Sequence, residues 1–206
     1  SRLIKEISYQ EVYDLAFYGA KVLHPKTILP VIERDIPIRI KNTFNKDNSG
    51  TFIHPLDKGC RTQIKAVTGK EQVGMISISG LDHLDMNILI EIVNNFLSET
   101  DNEVLSIFQN EKTNLTDLIT DHDLTDEQII TLKKWLAIQK SKEEFPSIQI
   151  SHGKSLITAV GPYISKNITL IKKLTDQIQQ AGVEVSIPAS RDTTHSISFL
   201  ILKQDL

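Results

Sequence analysis

Apolar and polar residues alternate in several short segments of this chain, which predicts half-buried β-strands. Other segments carry apolar residues at helical spacing. Between residues 73 and 152 the predicted strands are Val73–Ser79, Val104–Phe108, Leu115–Ile119 and Ile148–Ile150, and the predicted helices are Met86–Leu97 and Thr125–Leu136. This order, β-α-β-β-α-β, is that of a ferredoxin-like fold. The pattern therefore predicts an α/β (α+β) protein.

A second round of the same pattern follows but is incomplete. It contains predicted strands at Leu156–Val160, Val183–Ile187 and Ile197–Ile201, and one helix that should end at Gly182. A second helix is missing, so one strand must come from elsewhere in the chain. Thr62–Val67, directly before the first round, is available for that position.

The first 56 residues predict two helices and a strand. Ser8 and Glu11 have the spacing of a capping box, and Pro25 suits the first position of a second helix. The alternation Ile36, Ile38, Ile40 predicts a strand, and residues 54–61 indicate a linker because Pro and Gly interrupt both periodicities. With so few strands, we expect this segment to need packing partners from the rest of the chain or from a neighbouring chain.

Composition and charge argue against several classes of function. The chain has 206 residues, 40% hydrophobic and 24% charged residues, and a net charge of −3. Without a Lys/Arg stripe, a nucleic-acid partner is not expected, and without a long apolar run neither is a membrane span. The single Cys60 excludes an internal disulfide and favours a reducing, cytoplasmic location. His54, His122 and His152 lack metal-ligand spacing, so we expect no metal.

One segment carries a specific motif, Phe-Tyr-Gly-Ala-Lys-Val-Leu-His-Pro at residues 17–25. It resembles a segment near the end of the aspartokinase catalytic domain. Similar blocks lie at residues 7–12 (ISYQEV), 36–45 (IPIRIKNTFN) and 49–51 (SGT), in the order and spacing of that family. Four blocks in order are much more specific than one short motif.

The resemblance implies a domain organisation. Residues 1–56 would be the C-terminal segment of the kinase domain, and residues 57–72 a linker with a strand that pairs with the second regulatory domain. Residues 73–152 and 153–206 would be two ACT domains, the ferredoxin-like modules that follow the kinase domain in aspartokinases. The main phosphate-binding and aspartate-binding elements of the family have no counterpart here, so we expect no catalytic residue and no activity in this segment alone.

By the same resemblance, Lys21 and its neighbour Val22 would lie at the ATP site of the full-length enzyme, where an ammonium neutralises phosphate charge. From the residues alone, Lys21 could equally be an exposed lysine near a helix end. His24 is expected to cap or position the turn rather than to act in catalysis.

The loop after the first ACT strand is the candidate site for an amino-acid effector, with lysine or threonine favoured. A helix N-terminus suits a carboxylate, and an acidic side chain suits an ammonium group. The alternative is an ordinary helix cap followed by solvated turn residues. The candidate residues are Gly80, Asp82, His83, Asp85, Met86, Asn87, Gln109, Asn110 and Glu111.

Two interpretations of function follow from the resemblance. In the first, the chain is the regulatory, dimerising region of an aspartokinase that transfers the ATP γ-phosphoryl group to the β-carboxylate of L-aspartate. That reaction opens lysine, threonine and methionine synthesis. In the second, it is a non-catalytic ACT subunit or scaffold that binds a partner kinase without sensing a ligand.

Overall fold

A computed structural model describes residues 3–45, 47–55, 63–79, 91, 93–96, 98–100, 102–110, 115–138, 147–189 and 194–206. The chain divides into two compact units. Unit 1 comprises Ser1–Lys70, Leu156–Ile201 and Leu206, and unit 2 comprises Glu71–Ser155 and Leu202–Asp205. Each unit is therefore assembled from separate parts of the sequence.

Nine strands and four labelled helices follow one another along the described residues. The strands are β1 (Glu6–Ser8), β2 (Ile38–Ile40), β3 (Thr51–His54), β4 (Ala66–Ser79), β5 (Val104–Asn110), β6 (Leu115–Thr120), β7 (Ser147–Val160), β8 (Ser186–Ala189) and β9 (Ser196–Leu202). The helices are α1 (Tyr9–Phe17), α2 (Pro25–Ile32), α3 (Asp126–Ile138) and α4 (Ile168–Gln180), with further helical residues at 91, 93–96 and 98.

In unit 2 the strands lie in the order β5-β6-β4-β7. Strand β6 pairs antiparallel with both β4 and β5, with Ile76 opposite Leu118. The helical residues around 93–96 and helix α3 complete the β-α-β-β-α-β order, so the ferredoxin-like prediction is confirmed. Alternate apolar residues of the strands and the helix stripe form its core, which contains Ile76, Ile78, Val93, Phe96, Leu118, Leu124 and Leu132.

Unit 1 contains a second set of strands, in the order β4-β7-β9-β8, with α4 between β7 and β8 along the chain. Only the first residues of β4, Ala66–Lys70, belong to this unit. Its core contains Ala159, Ile164, Ile197 and Phe199, against which the apolar stripe of α4 packs. This is the same strand arrangement as in unit 2, with β4 in the position of the last strand.

Strands β4 and β7 are each 14 residues long, and each contributes residues to both units. The sequence pattern predicted two shorter strands in each region. Instead of separate strands at Thr62–Val67 and Val73–Ser79, one strand begins at Ala66 and continues to Ser79. Polar residues such as Lys70, Glu71 and Gln72 interrupt the apolar alternation without interrupting the strand, which explains the difference.

The N-terminal segment forms a three-stranded sheet in the order β1-β3-β2, with β1 parallel and β2 antiparallel to β3. Helices α1 and α2 share one core with this sheet. That core includes Ile7, Val12, Leu15, Ile28 and Ile53, and it extends to Ala66 and Val160 from the second set of strands. Strands β1 and β3 were missed in the sequence because their segments lack the apolar alternation that Ile36, Ile38 and Ile40 show around β2.

The predicted helix starts are confirmed by hydrogen bonds. The Glu11 N–H donates to Ser8 Oγ at 3.2 Å, and the Ser8 N–H donates to Glu11 Oε2 at 2.7 Å, completing the capping box of α1. Thr125 and Gln128 exchange the equivalent pair of bonds before α3.

Within the described part of the chain, no helix is long and apolar enough to cross a membrane.

Helices α1 and α4 both end in a Schellman motif. At the end of α1, the Gly19 N–H donates to Ala16 O and the Ala20 N–H donates to Leu15 O, at 3.3 and 2.8 Å. At the end of α4, Gly182 bonds to Gln179 and Val183 to Ile178 in the same way. Gly19 and Gly182 have φ angles of +105° and +81°, the left-handed conformation that this motif requires.

The surroundings of these two glycines differ, which allows a matched comparison. A Cβ at Gly19 would lie 2.9 Å from the backbone oxygen of Gly69, whereas a Cβ at Gly182 would meet nothing within 4 Å. We expect Gly182→Ala to lower the free energy of unfolding by about 1 kcal/mol, the cost of a left-handed alanine. Gly19→Ala should cost about 2–3 kcal/mol because backbone must also move. Urea unfolding of both variants tests this, and equal costs would contradict the contact.

Tyr9 gives a pH-dependent prediction. Burial, and next the carboxylate of Asp35, raise the pKa of the Tyr9 phenol above its usual value. The buried hydroxyl has no hydrogen-bond partner within the described structure. Since the neutral phenol is favoured in the folded state, stability is complete below the unfolded pKa of about 10 and falls as pH rises above it.

We therefore expect Tyr9→Phe to raise the free energy of unfolding by up to about 1 kcal/mol at neutral pH, because it removes an unsatisfied buried group. It should also reduce the loss of stability above about pH 10. Tyr13→Phe, a change on the same helix, is the control and should leave the alkaline loss in place. Chemical denaturation at neutral and alkaline pH measures both effects, and an identical pH profile for Tyr9→Phe and the unaltered protein would refute the assignment.

Candidate functional site

The motif at residues 17–25 forms the connection between α1 and α2. Its first part is the Schellman end of α1, in which Tyr18 is buried and Ala20 packs against the core of the N-terminal segment. Its last part starts α2. The Lys26 N–H donates to Nδ1 of the His24 side chain at 3.2 Å, and Pro25 occupies the first helical position. The expected capping role of His24 is therefore observed.

Between these two helix ends lie Lys21, Val22 and Leu23. Leu23 packs against the same core, whereas Lys21 is exposed and 48% of the Val22 surface is exposed. Within the described structure, the Lys21 ammonium has no hydrogen bond or ion pair. The motif thus gives a structural role to nearly every residue except Lys21 and Val22.

The exposed residues border two cavities. One, of about 360 Å³, is lined by the motif itself, from Ala16 and Gly19 to His24. The other, of about 350 Å³, is mainly apolar, and Val22 contributes to its wall. The remaining residues of that wall are Leu3, Ile4, Ile7, Val12, Leu15, Ile40 and Thr51. Val22 therefore contributes to both cavities, of which the first also contains Lys21 in its wall.

A buried ion pair holds the start of α1. The Glu11 side chain is fully buried, and its Oε2 lies 2.9 Å from Nζ of Lys65, whose side chain is 13% exposed. The same oxygen accepts the Ser8 N–H of the capping box. The backbone N–H of Lys65 donates to Val160 O at 2.8 Å, which attaches this residue to β7. Oε1 of Glu11 is buried without a partner within the described structure.

The end of α1 also contacts β4. Gly19 lies against Gly69 and Lys70. A Cβ placed on Gly19 would be 3.5 Å from the Cβ of Lys70. Sequence reasoning missed Lys65, Gly69 and Lys70, because no local spacing relates residues that lie about fifty positions from the motif. The predicted capping box at Glu11 was the only signal near this contact.

The predicted effector residues are only partly described. Gly80, Asp82, His83, Asp85, Met86, Asn87 and Glu111 lie outside the described residues. The backbone of Gln109 and Asn110 ends strand β5, opposite Thr116 and Leu115 of β6. Among the described residues, no group of three or more His, Cys, Asp or Glu side chains is placed to hold a metal ion. The effector site therefore stays a prediction.

The known proteins that match this chain agree with the resemblance shown by the motif at residues 17–25. A model of the amino acid kinase family matches residues 1–42. The bifunctional aspartokinase/homoserine dehydrogenase of Buchnera aphidicola is 29% identical over 207 residues, covering 100% of this chain and 25% of that protein. The aspartokinase of Chlamydia pneumoniae is 24% identical and is matched over 98% of this chain and 43% of its own length.

Solved structures agree in fold. Clostridium acetobutylicum aspartate kinase has a TM-score of 0.79 at 22% identity, covering 99% of this chain and 46% of that one. Escherichia coli aspartokinase III, complexed with aspartate and ADP, has a TM-score of 0.75 at 20% identity, covering 98% and 44%. The structure of the same enzyme with lysine and aspartate has a TM-score of 0.71 at 21% identity, covering 99% of this chain and 44% of that one. The regulatory subunit of Thermus flavus aspartate kinase has a TM-score of 0.55 at 16% identity, covering 68% of this chain and 90% of that one.

These matches define how much of a relative the chain represents. It spans about a quarter of the bifunctional enzymes and less than half of the aspartokinases that it matches. The α/β fold, with kinase-domain and ACT-type parts, agrees with the structural neighbours. The resemblance noted in the sequence is confirmed: the homologues of this chain are aspartokinases and bifunctional aspartokinase/homoserine dehydrogenases.

Proposed function

We propose that this chain is the end of an aspartokinase catalytic domain followed by its tandem ACT regulatory region. Residues 1–56 would be the kinase segment, residues 57–72 the linker and shared strand, and residues 73–152 and 153–206 the two ACT domains. The full-length parent would transfer the ATP γ-phosphoryl group to the β-carboxylate of L-aspartate. The homology over the whole chain supports this assignment.

One observation supports the nucleotide role of the motif: Lys21 and Val22 are exposed side chains between two capped helix ends, and neither takes part in the caps. An ammonium without a counter-ion is suited to phosphate oxygens, and its electrostatic contribution grows when a bound ligand excludes water. Val22, at the edge of the apolar cavity, is suited to the less polar part of the nucleotide. Phosphoryl transfer needs several such elements together, so this segment alone is proposed to be inactive.

The regulatory part of the proposal concerns an amino-acid effector and a second chain. The ACT domains would pair in a homodimer, with lysine or threonine bound at residues 80–87 and 109–111. E. coli aspartokinase III has been solved with lysine, which supports lysine as a candidate for this chain. Binding regulates activity only if the effector prefers one of two conformations.

A second function is supported by the match to a separate regulatory subunit in Thermus flavus, most of which this chain covers. In that case the chain would be a non-catalytic ACT subunit that binds a partner kinase without sensing a ligand. A complete kinase domain upstream in the parent reading frame would favour the first function, and an internal start near residue 1 would favour the second.

Lys21→Met in the full-length parent tests the nucleotide role. Loss of one charge-assisted contact to phosphate, worth roughly 1.5–3 kcal/mol, should lower kcat/KM for ATP about 10- to 100-fold. Lys26→Met, an equally exposed lysine five residues further on, is the matched control and should change it less than about twofold. Initial-rate kinetics measure kcat/KM for ATP in both variants. Equal values of kcat/KM for the two variants would reject the proposed role of Lys21.

Thermal unfolding of the 206-residue chain tests effector binding. An effector at about 100 times its Kd stabilises the native state by about 2.7 kcal/mol, which corresponds to a rise in Tm of about 5–10 °C. We expect lysine or threonine to produce this rise, and the D-enantiomer not to. Asp85→Ala should abolish the shift, whereas Asp126→Ala, at the exposed start of α3, should preserve it. No shift with lysine, threonine, methionine or S-adenosylmethionine would instead favour the scaffold function.

A further inference from the structure

The first turn of helix α1 and the residues just after its end both contact the chain at the start of β4. Near the helix start, Glu11 forms the buried ion pair with Lys65, which directly precedes β4. At the helix end, Gly19 lies against the backbone of Gly69.

Between these two contacts, α1 buries both apolar side chains and the carboxylate of Asp14, which accepts a hydrogen bond from Gln10 Nε2 at 3.1 Å. Val12 and Leu15 of α1 are buried in the core against which Ala66 of β4 packs. Apolar contacts are non-directional, so they specify the position of the helix along the strand less strictly than an ion pair does. The contacts at the two ends therefore contribute to the position of the helix on the strand.

The ion pair defines this position more strictly than any apolar contact. Its carboxylate also accepts the Ser8 N–H, and the backbone of its lysine is bonded to Val160 of β7. Glu11 is therefore bonded to the residue that caps α1, and Lys65 is bonded to β7. Moving α1 along β4 would separate the two charges in a buried site, which is strongly unfavourable.

The position of α1 sets the position of Lys21. Only Tyr18, Gly19 and Ala20 separate the helix from this lysine, and the two hydrogen bonds of the Schellman motif hold them to the last turn. A displacement of the helix start is therefore carried to the Lys21 ammonium. No comparable bond joins Lys21 to the rest of the described structure.

We propose that Lys65 is a positioning residue: through Glu11 and helix α1 it holds Lys21 where the nucleotide phosphates bind. This inference rests on the proposed nucleotide role of Lys21. It predicts that the ion pair acts on ATP binding separately from its effect on folding.

The test is the double variant Glu11→Gln/Lys65→Met in the full-length parent. Glutamine preserves the capping box, and removing both charges avoids an unpaired buried charge, so Tm should change by less than about 5 °C. Because the directional contact is lost, KM for ATP should rise about tenfold or more, while KM for aspartate changes less than about twofold. A purely structural ion pair would leave the ratio of the two KM values unchanged.

Further variants separate the possible outcomes. Glu11→Gln alone keeps the capping box and lets Lys65 extend to solvent, so it should fold and show the same rise in KM for ATP. A folded double or single variant with unchanged KM for ATP would overturn the inference. If Lys21→Met changes ATP kinetics and these variants do not, only the role of Lys65 fails. If Lys21→Met is also without effect, the proposed nucleotide role fails.

Discussion

The ion pair between Glu11 and Lys65 is the constraint on which unit 1 depends, because it joins elements that are far apart in the sequence. Glu11 begins α1, Lys65 precedes β4, and the Lys65 backbone is bonded to Val160 at the end of β7. Removing one partner of a buried pair costs roughly 3–5 kcal/mol, yet replacing both with apolar residues is often neutral. Its contribution is therefore mainly to geometry: it fixes which part of α1 lies on which part of β4.

The Glu11–Lys65 ion pair also bears on the motif at residues 17–25, because α1 leads directly into that motif. A Schellman end, a half-buried leucine and a histidine cap account for the sequence on both sides of Lys21 and Val22. An exposed lysine on an unconstrained loop would be an ordinary surface residue. An exposed lysine between two capped helices has a backbone that is held in place on both sides. A fixed backbone position lowers the cost of placing its charge against a ligand, which supports the proposed phosphate role.

Local signals predicted much of the fold, and non-local ones were missed. The capping boxes at Ser8 and Thr125 and the glycine after α4 depend on residues three or four positions apart, so the sequence displays them directly. The segments of strands β1 and β3 lack apolar alternation, and polar residues concealed the continuity of β4 and β7. The partner of Glu11 could not be found in this way, because 54 residues separate it from Lys65 and nothing in their spacing relates them. For the candidate site, the motif indicates Lys21 and Val22 as candidates, whereas the contacts around α1, including that between Glu11 and Lys65, are visible only in the structure.

In the proposed function, the segment between α1 and α2 binds the phosphates of the nucleotide in the full-length parent. The most direct measurement is a crystal structure of that protein with ADP and Mg²⁺. We expect the Lys21 ammonium to lie within about 3 Å of a phosphate oxygen, with the Glu11–Lys65 pair intact. A nucleotide bound elsewhere, with Lys21 still in solvent, would contradict it.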